Sequence, residues 1–600
     1  MGRATPVGYI RVGMNIAKSQ WPLVACVGLV AVAYARAPFG EFVWDDVHLI
    51  LRDPRLQSWS SFVDVVSSSF WSGSPLTIND FYAAVYRPAV SAAYLVEMQI
   101  FGASAIGFHI VSIVLHVLCT VLCIRWIVQR IPSAPPLAVF FGGMLFAVHP
   151  SRVETVGWIS GCVDLWMVFW LLLGLQAWES RHSLLAGMLF ALALFSKEVA
   201  VVVPLLLLTD HFLLRRSTRI WKPWSITTAI IAAAFAFRIW QVPVAAAGRP
   251  GWAEMPERVL STLGFFVQRV AFPWPQTVHP AARAYDDVGN EIFARWAVAL
   301  GVMALSCVVA LAFLAWRHRE KYRPWLADSL WFFVPLLPTL NLLDIDAIAR
   351  SSDRFLYWPL MGVCAVTARA ITQVAPLGVS MRRAMAGLSL GVSILFVLAT
   401  AVHVSHFRTD YTLWAHEYEV DQSNTDALWA LAGIAKYEGL SDSAHQLCTE
   451  GFQAADRKRY QWTAIRFALC QLETSLDLAT PDDPETIVYV RRVYDELMDR
   501  SLLSADRGSL RFDIHIASEI IRDRLMVDPD NVALPRARAY LASGNTAQAI
   551  VQLEQITKSY PGAKDGWRML IAAYRVTGED ERAIATADHA RRLFGEELAE

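Results

Sequence analysis

Long apolar runs separated by short polar or basic connections fill the chain from residue 21 to residue 403. A helix needs roughly 20 apolar residues to cross about 30 Å of hydrocarbon. Runs at 21–37, 106–128, 136–149, 159–178, 183–196, 199–214, 223–241, 293–316, 325–343, 355–374 and 384–403 approach or meet that length. They predict eleven crossings, with 136–149 and 183–196 short enough to need shelter from neighbours. The segment 258–273 is also short and carries Arg258 and Arg269, so it reads as interfacial or re-entrant. No small-residue cleavage site follows the first run, which is therefore expected to be a retained helix.

Past residue 404 the pattern changes to amphipathic helices with a 34-residue spacing. Tyr540 matches Tyr574, Gly544 matches Gly578, Ala549 matches Ala583 and Ile550 matches Ile584. This is the register of a tetratricopeptide repeat, in which two helices cross at small residues. The second copy carries Trp567, Leu570 and Tyr574 on one helix and Ala583 and Ala590 on the other; Pro561 closes the first copy. Gly439 and Ala444 repeat the glycine-to-alanine step at 425–458, and 459–529 reads as degenerate helical repeats broken at Pro481–Pro484. One helix pair cannot bury its apolar face alone, so such units stack into a solenoid. The expected fold class is all-α: a polytopic membrane bundle at 1–405, with a first extracytoplasmic loop at 38–105, then an extracytoplasmic α-solenoid at 406–600.

Composition sharpens this division. The 600 residues are 55% hydrophobic and 18% charged, with a net charge of −1. Residues 401–600 hold 22 Lys+Arg and 32 Asp+Glu, whereas residues 1–400 hold 31 and 22. A slightly basic apolar body thus precedes an acidic tail. No dense basic face accompanies this balance, which excludes a nucleic-acid partner.

Arg3, Arg11 and Lys18 before the first run favour a cytoplasmic N-terminus. Eleven crossings then place Arg125/Arg130, Arg181, Arg215/Arg216/Arg219/Lys222, Arg317/Arg319/Lys321/Arg323 and Arg382/Arg383 on the cytoplasmic side. The other side collects Trp44-Asp45-Asp46, Tyr86-Arg87-Pro88, His149-Pro150, Glu154, Asp164, Ser196-Lys197-Glu198, and Arg350 with Asp353 and Arg354. Ionisable residues at membrane depth usually mark a site or pathway. Singly, Lys197-Glu198 reads as an interfacial ion pair, His149-Pro150 as a helix stop and Arg354 as a snorkelling anchor. Together they suggest one cavity open to the outside. Adjacent carboxylates repel, so one of Asp45 and Asp46 is expected to accept a proton near neutrality. Cationic groups at the membrane surface suit a phosphate or pyrophosphate leaving group, and a lipid-linked phosphosugar presents its phosphate at that depth.

The motifs Trp44-Asp45-Asp46, Tyr86-Arg87-Pro88, Phe108-His109, His116, His149-Pro150-x3-Glu154, Gly161-x2-Asp164, Lys197-Glu198 and Arg354-x2-Tyr357-x-Pro359, in that order before repeats, resemble the transmembrane-and-tetratricopeptide-repeat O-mannosyltransferases. These are GT-C-type integral-membrane glycosyltransferases. The resemblance covers roughly residues 38–600. It implies inverting transfer of a sugar, by default mannose, from a polyprenyl-phosphate donor to a protein Ser/Thr hydroxyl, with the repeats recruiting a protein or peptide acceptor. It further implies Asp45 or Asp46 as the base, the other orienting the acceptor or holding an optional divalent cation. Arg87, Lys197 and Arg354 are implied for the donor phosphate, and His149 and Glu154, with Glu198 nearby, for the phosphate or sugar pocket. The family commonly has an arginine between the glycine and aspartate of the Gly161-Cys162-Val163-Asp164 motif, and here Cys162 or Val163 stands instead.

Most of the eight cysteines fall in candidate spans and read as core packing, whereas Cys448 and Cys470 lie in the tail, where an oxidising compartment would permit a disulfide. Zinc-finger, P-loop and zincin motifs are absent. The competing readings are the same chemistry on a glycan or lipid acceptor, and a non-enzymatic scaffold or transporter. A transporter would place its ionisable groups near the bilayer midplane. The short N-terminus and the lack of a retention signal at Glu597–Glu600 favour a bacterial inner membrane with periplasmic repeats, or a lumenal tail in a eukaryote.

Overall fold

The computed structural model describes residues 20–74, 85–214, 220–242, 255–278, 284–285, 291–292, 294–340, 351–374, 378–457, 546–559 and 564–594, with scattered positions at 463–474 and 534–545. Arg350, the basic cluster Arg215/Arg216/Arg219, Pro561 and most of 459–529 lie outside the described residues. The chain divides into two compact units, Met1–Ala284 with Ile292–His416, and Tyr285–Glu291 with Glu417–Glu600. Apart from the short β pair Ala284–Tyr285 and Glu291–Ile292, the described elements are helical.

Every apolar run carries a helix, but the runs are not equivalent. Among the described residues, Trp21–Phe39, Ala105–Arg130, Ile159–Glu179, Trp221–Gln241, Arg295–Arg317 and Val379–His406 are long and apolar enough to cross a bilayer. Pro136–Val148 and Pro150–Val156 make a seventh span if their 46° bend is counted within one crossing. By this measure six or seven helices qualify among the described residues; the expected eleven crossings also take in shorter apolar helices. Ser183–Ser196 and Leu360–Val374 are apolar but short; fourteen or fifteen residues at 1.5 Å each reach only about 22 Å.

The bend has a local cause. Pro150 disfavours the helical conformation at the residue before it, and His149 is extended, with φ −62° and ψ 130°. Elsewhere close approach needs glycine. The helix Met255–Ala271, the segment read as interfacial, crosses Arg295–Arg317 so tightly that a Cβ on Gly264 would lie 1.8 Å from the Ala297 carbonyl oxygen. A Cβ on Gly301 would lie 2.0 Å from the Leu260 oxygen.

A buried polar network closes one end of the bundle. Arg130, at the last turn of Ala105–Arg130, donates to both carboxylate oxygens of Asp210 at 2.6 and 2.8 Å and to Asp328 at 2.5 Å. Arg369 binds the second oxygen of Asp328, and the Trp331 indole donates to Asp210 at 3.1 Å. The opposite end of the same helix starts beside Phe42, whose ring meets Phe108. Twenty-six residues, about 39 Å of helix, separate these ends.

In the second unit, Thr425–Tyr437 and Ser441–Arg457 form one helix pair, and Lys564–Thr577 and Asp580–Phe594 another. Gly439, Gly544 and Gly578 adopt φ of 75°, 74° and 75°. The residue after each donates its N–H five positions back, Leu440 to Ala435, Asn545 to Tyr540 and Glu579 to Tyr574, at 2.8–2.9 Å. These are three copies of the left-handed glycine helix stop. Five residues beyond each glycine, Ala444, Ala549 and Ala583 are buried. Leu553, Leu570, Tyr574 and Ala583 share one core, as do Leu428, Ala432 and Ala455. Cys448 and Cys470 form a disulfide, with Cα atoms 5.7 Å apart.

Candidate active site

The loop following the first span begins in an unusual conformation. Trp44 has φ +54°, in the left-handed region that a bulky side chain rarely enters. Its N–H donates to the Asp410 carboxylate at 2.7 Å, its ring stacks on Trp158 at 4.7 Å, and Trp414 meets it edge-on at 5.4 Å. These contacts hold the strained residue, and with it the two carboxylates that follow. The contact with Asp410 also places the exit of Val379–His406 at the same end of the bundle as Trp44–Asp46.

The two aspartates differ sharply. Asp46 is fully buried; one oxygen accepts the Val43 N–H at 3.0 Å and the other accepts the Ser160 N–H at 2.7 Å and the Ser160 hydroxyl. The half-buried Asp45 carboxylate has no hydrogen bond or ion pair to any described residue. Burial pushes both carboxyls up to about 7. The Arg354 and Arg87 guanidinium groups oppose that rise at Asp45, and the hydrogen bonds from Ser160 and Val43 oppose it at Asp46.

Cationic groups surround this pair. Arg354 forms an ion pair with Glu154, whose carboxylate also accepts the Ser352 hydroxyl at 2.5 and 2.6 Å and the Arg354 N–H at 3.0 Å. The Arg354 guanidinium lies over Trp158 and Phe355, 5.6 and 5.3 Å from their centroids. Lys197 Nζ binds Asp164 at 2.6 Å and sits 4.7 Å above the same Phe355 ring. Arg87 faces Glu198 at 3.6 Å and Phe70 at 5.6 Å. Trp158 and Phe355 therefore form an aromatic floor shared by Trp44, Arg354 and Lys197. The structure brings Asp45, Asp46, Arg87, Glu154, Lys197, Glu198 and Arg354 into one region.

His149 has a different setting. One ring nitrogen engages the Ser151 hydroxyl at 2.9 Å and the other donates to the Val270 carbonyl at 3.1 Å. Both nitrogens are thus committed, and the residue ties the bend to the end of Met255–Ala271. His116 is similarly committed, to the Tyr357 hydroxyl and the Ala147 carbonyl. At the motif departure, the buried Cys162 thiol donates to the Tyr94 hydroxyl at 3.5 Å.

Three contributors escaped the sequence reading. Ser160 carries no recognisable signal, being one serine among many. Arg152 is fully buried between the Phe146 and Tyr357 rings, 4.3 and 4.5 Å away, and donates to the backbone carbonyl of Tyr357. A basic residue between apolar runs could have flagged it. Glu97 is buried on Pro88–Phe101, and burial pushes it up to about 8.

A divalent cation fits the aspartate pair poorly. Asp46 already accepts three N–H or O–H donors, and two guanidinium groups act on Asp45. Asp45 alone would be a single carboxylate ligand.

Fold and site together define an integral-membrane helical bundle with clustered acids and bases at one end, followed by a unit of helix pairs. The chain's named homologues are protein O-mannosyl-transferases of the TMTC family. One from Caenorhabditis elegans is 22% identical over 438 residues, covering 71% of this chain and 61% of the relative. A Drosophila melanogaster protein is 21% identical over 513 residues, covering 70% of this chain and 54% of its own length. The human protein O-mannosyl-transferase TMTC4 is 29% identical over 210 residues, covering 30% and 28%. The chain thus spans less than two thirds of the length of these relatives. No protein-family model and no solved structure matches it. These homologues bear out the resemblance carried by the motifs.

Proposed function

We propose that this chain is a glycosyltransferase that moves a sugar, mannose by default, from a polyprenyl-phosphate donor to a Ser/Thr hydroxyl of a protein on the non-cytoplasmic side. The single observation that carries this reading is Asp45: a carboxylate free of hydrogen bonds among the described residues, raised toward neutrality, between Arg87 and Arg354. Asp45 takes the proton of the acceptor hydroxyl as its oxygen attacks the sugar C1. The C1–O bond to phosphate breaks, the electron pair leaves on the phosphate oxygen, and the configuration at C1 inverts. Asp46, anchored by Ser160 and Val43, positions its neighbour. Arg354, Arg87 and Lys197 offer positive charge where the phosphate gains it. The aromatic floor of Trp158 and Phe355 offers apolar faces to a sugar ring.

Transfer to protein is supported by the names of the homologues. The oxidising, non-cytoplasmic setting is supported by the Cys448–Cys470 disulfide. In this reading the helix pairs recruit the acceptor. The test is transfer of labelled mannose from polyprenyl-phosphate mannose to a Ser/Thr peptide by the purified chain. Asp45→Asn is expected to lower the rate by about 10²–10⁴-fold, the usual contribution of a general base, without loss of folded protein. Wild-type activity in Asp45→Asn would sink the assignment.

A further inference from the structure

Three histidines outside the acid–base cluster gather where the last span meets the helix Asp410–Val420. His403 and His406 occupy the final turn of Val379–His406, three residues apart and so on one face. His416 returns to them from the following helix. The ring centroids of His403 lie 5.6 Å from His406 and 6.1 Å from His416, and those of His406 and His416 lie 3.7 Å apart, nearly parallel. One ring nitrogen from each comes within 4.8 Å of the chosen nitrogen of both others.

The hydrogen bonding suits ligation. His416 Nε2 lies 2.8 Å from the Gln276 carbonyl oxygen. A carbonyl only accepts, so Nε2 carries the proton and Nδ1 keeps its lone pair. This is the arrangement by which a backbone carbonyl orients a metal-binding imidazole. His403 is 4% exposed, and its Nδ1 has no partner among the described residues. A buried ring nitrogen left unsatisfied needs an explanation, and a metal ion supplies one. The nearest positive charge, Arg269, is paired with both oxygens of Asp353. Coordination requires the stacked rings to turn about their Cβ–Cγ bonds so that their lone pairs converge.

We infer that His403, His406 and His416 form a binding site for one divalent transition-metal ion of the zinc class, with solvent as the fourth ligand. Three imidazoles and a water suit tetrahedral Zn²⁺. The ion would fasten the end of the last span to the helix that carries Asp410 and Trp414 against Trp44, and so support the loop that bears Asp45. The site does not depend on the proposed reaction.

The experiment titrates the full-length chain in detergent, stripped with chelator, with Zn²⁺ and separately with Co²⁺. One Zn²⁺ per chain is expected, together with the intense visible bands of four-coordinate Co²⁺ and a raised thermal transition. His406→Gln and His416→Gln, both at half-buried positions, should each weaken Zn²⁺ binding by at least about tenfold, and the double variant should abolish it. Should either variant misfold, protection of the wild-type His406 and His416 from diethyl pyrocarbonate by Zn²⁺ reads the same site. Absence of stoichiometric binding by the wild type, or undiminished affinity in the double variant, overturns the inference.

Discussion

Asp45 and Asp46 are chemically identical neighbours that the fold makes unlike. Ser160, 114 positions away, supplies two donors to Asp46 and none to Asp45, so their separate roles were illegible in the sequence. Burial lifts both from the ordinary 3.8 to about 7. The folded chain therefore holds protons that the unfolded chain has released between about pH 4 and 7. Stability contributed by this pair is lost as pH rises through that window. Catalysis runs the other way, because the base must be ionised. The rate should climb with pH through an apparent value near 7 that belongs to the coupled pair. Asp46→Asn removes the repulsion between the two and should move that profile to lower pH; a rate–pH curve that stays in place would refute the coupling. Arg354→Lys is expected to cost more than a charge-conserving change ordinarily does, since an ammonium cannot lie flat over Trp158 and Phe355. The kinetics of the purified variant check this.

Helices were legible wherever apolar runs were long, but their packing was not. The pair Gly264 and Gly301 lets Met255–Ala271 and Arg295–Arg317 touch backbone to backbone. Gly264→Ala would force the two apart and is expected to destabilise the bundle by roughly 1–3 kcal/mol, read as a lowered thermal transition. The 34-residue spacing was more informative. It matched Gly544 to Gly578, the five-residue glycine-to-alanine step added Gly439, and all three take the same left-handed conformation. Such a stop depends on the absence of a Cβ at one residue, a property written locally in the chain. The bend at His149-Pro150 was legible for the same reason. Its fastening to Val270 was not, because the partner comes from a helix 121 positions away.

At the level of the molecule, the first unit continues through His416, past the boundary at 405 expected from hydropathy. Asp410, Trp414 and His416 all contact groups in that unit. A truncation at residue 410 would remove the support of Trp44 along with the helix pairs, and so confound their roles. Deletion of 417–600 is the cleaner cut. If the helix pairs recruit acceptor, transfer to a protein should fall much further than transfer to a short peptide. Equal losses on both acceptors would count against recruitment.

The amino-acid sequence by itself determined the apolar helices, the division into a membrane bundle and a polar repeat region, and which motif residues deserved attention. These follow from local hydropathy, spacing and backbone chemistry. Only the tertiary structure decided which of two adjacent carboxylates stays free, and that His149 serves as a tie. Those outcomes depend on partners more than a hundred residues distant, whose proximity is created by packing and leaves no periodic trace in the chain.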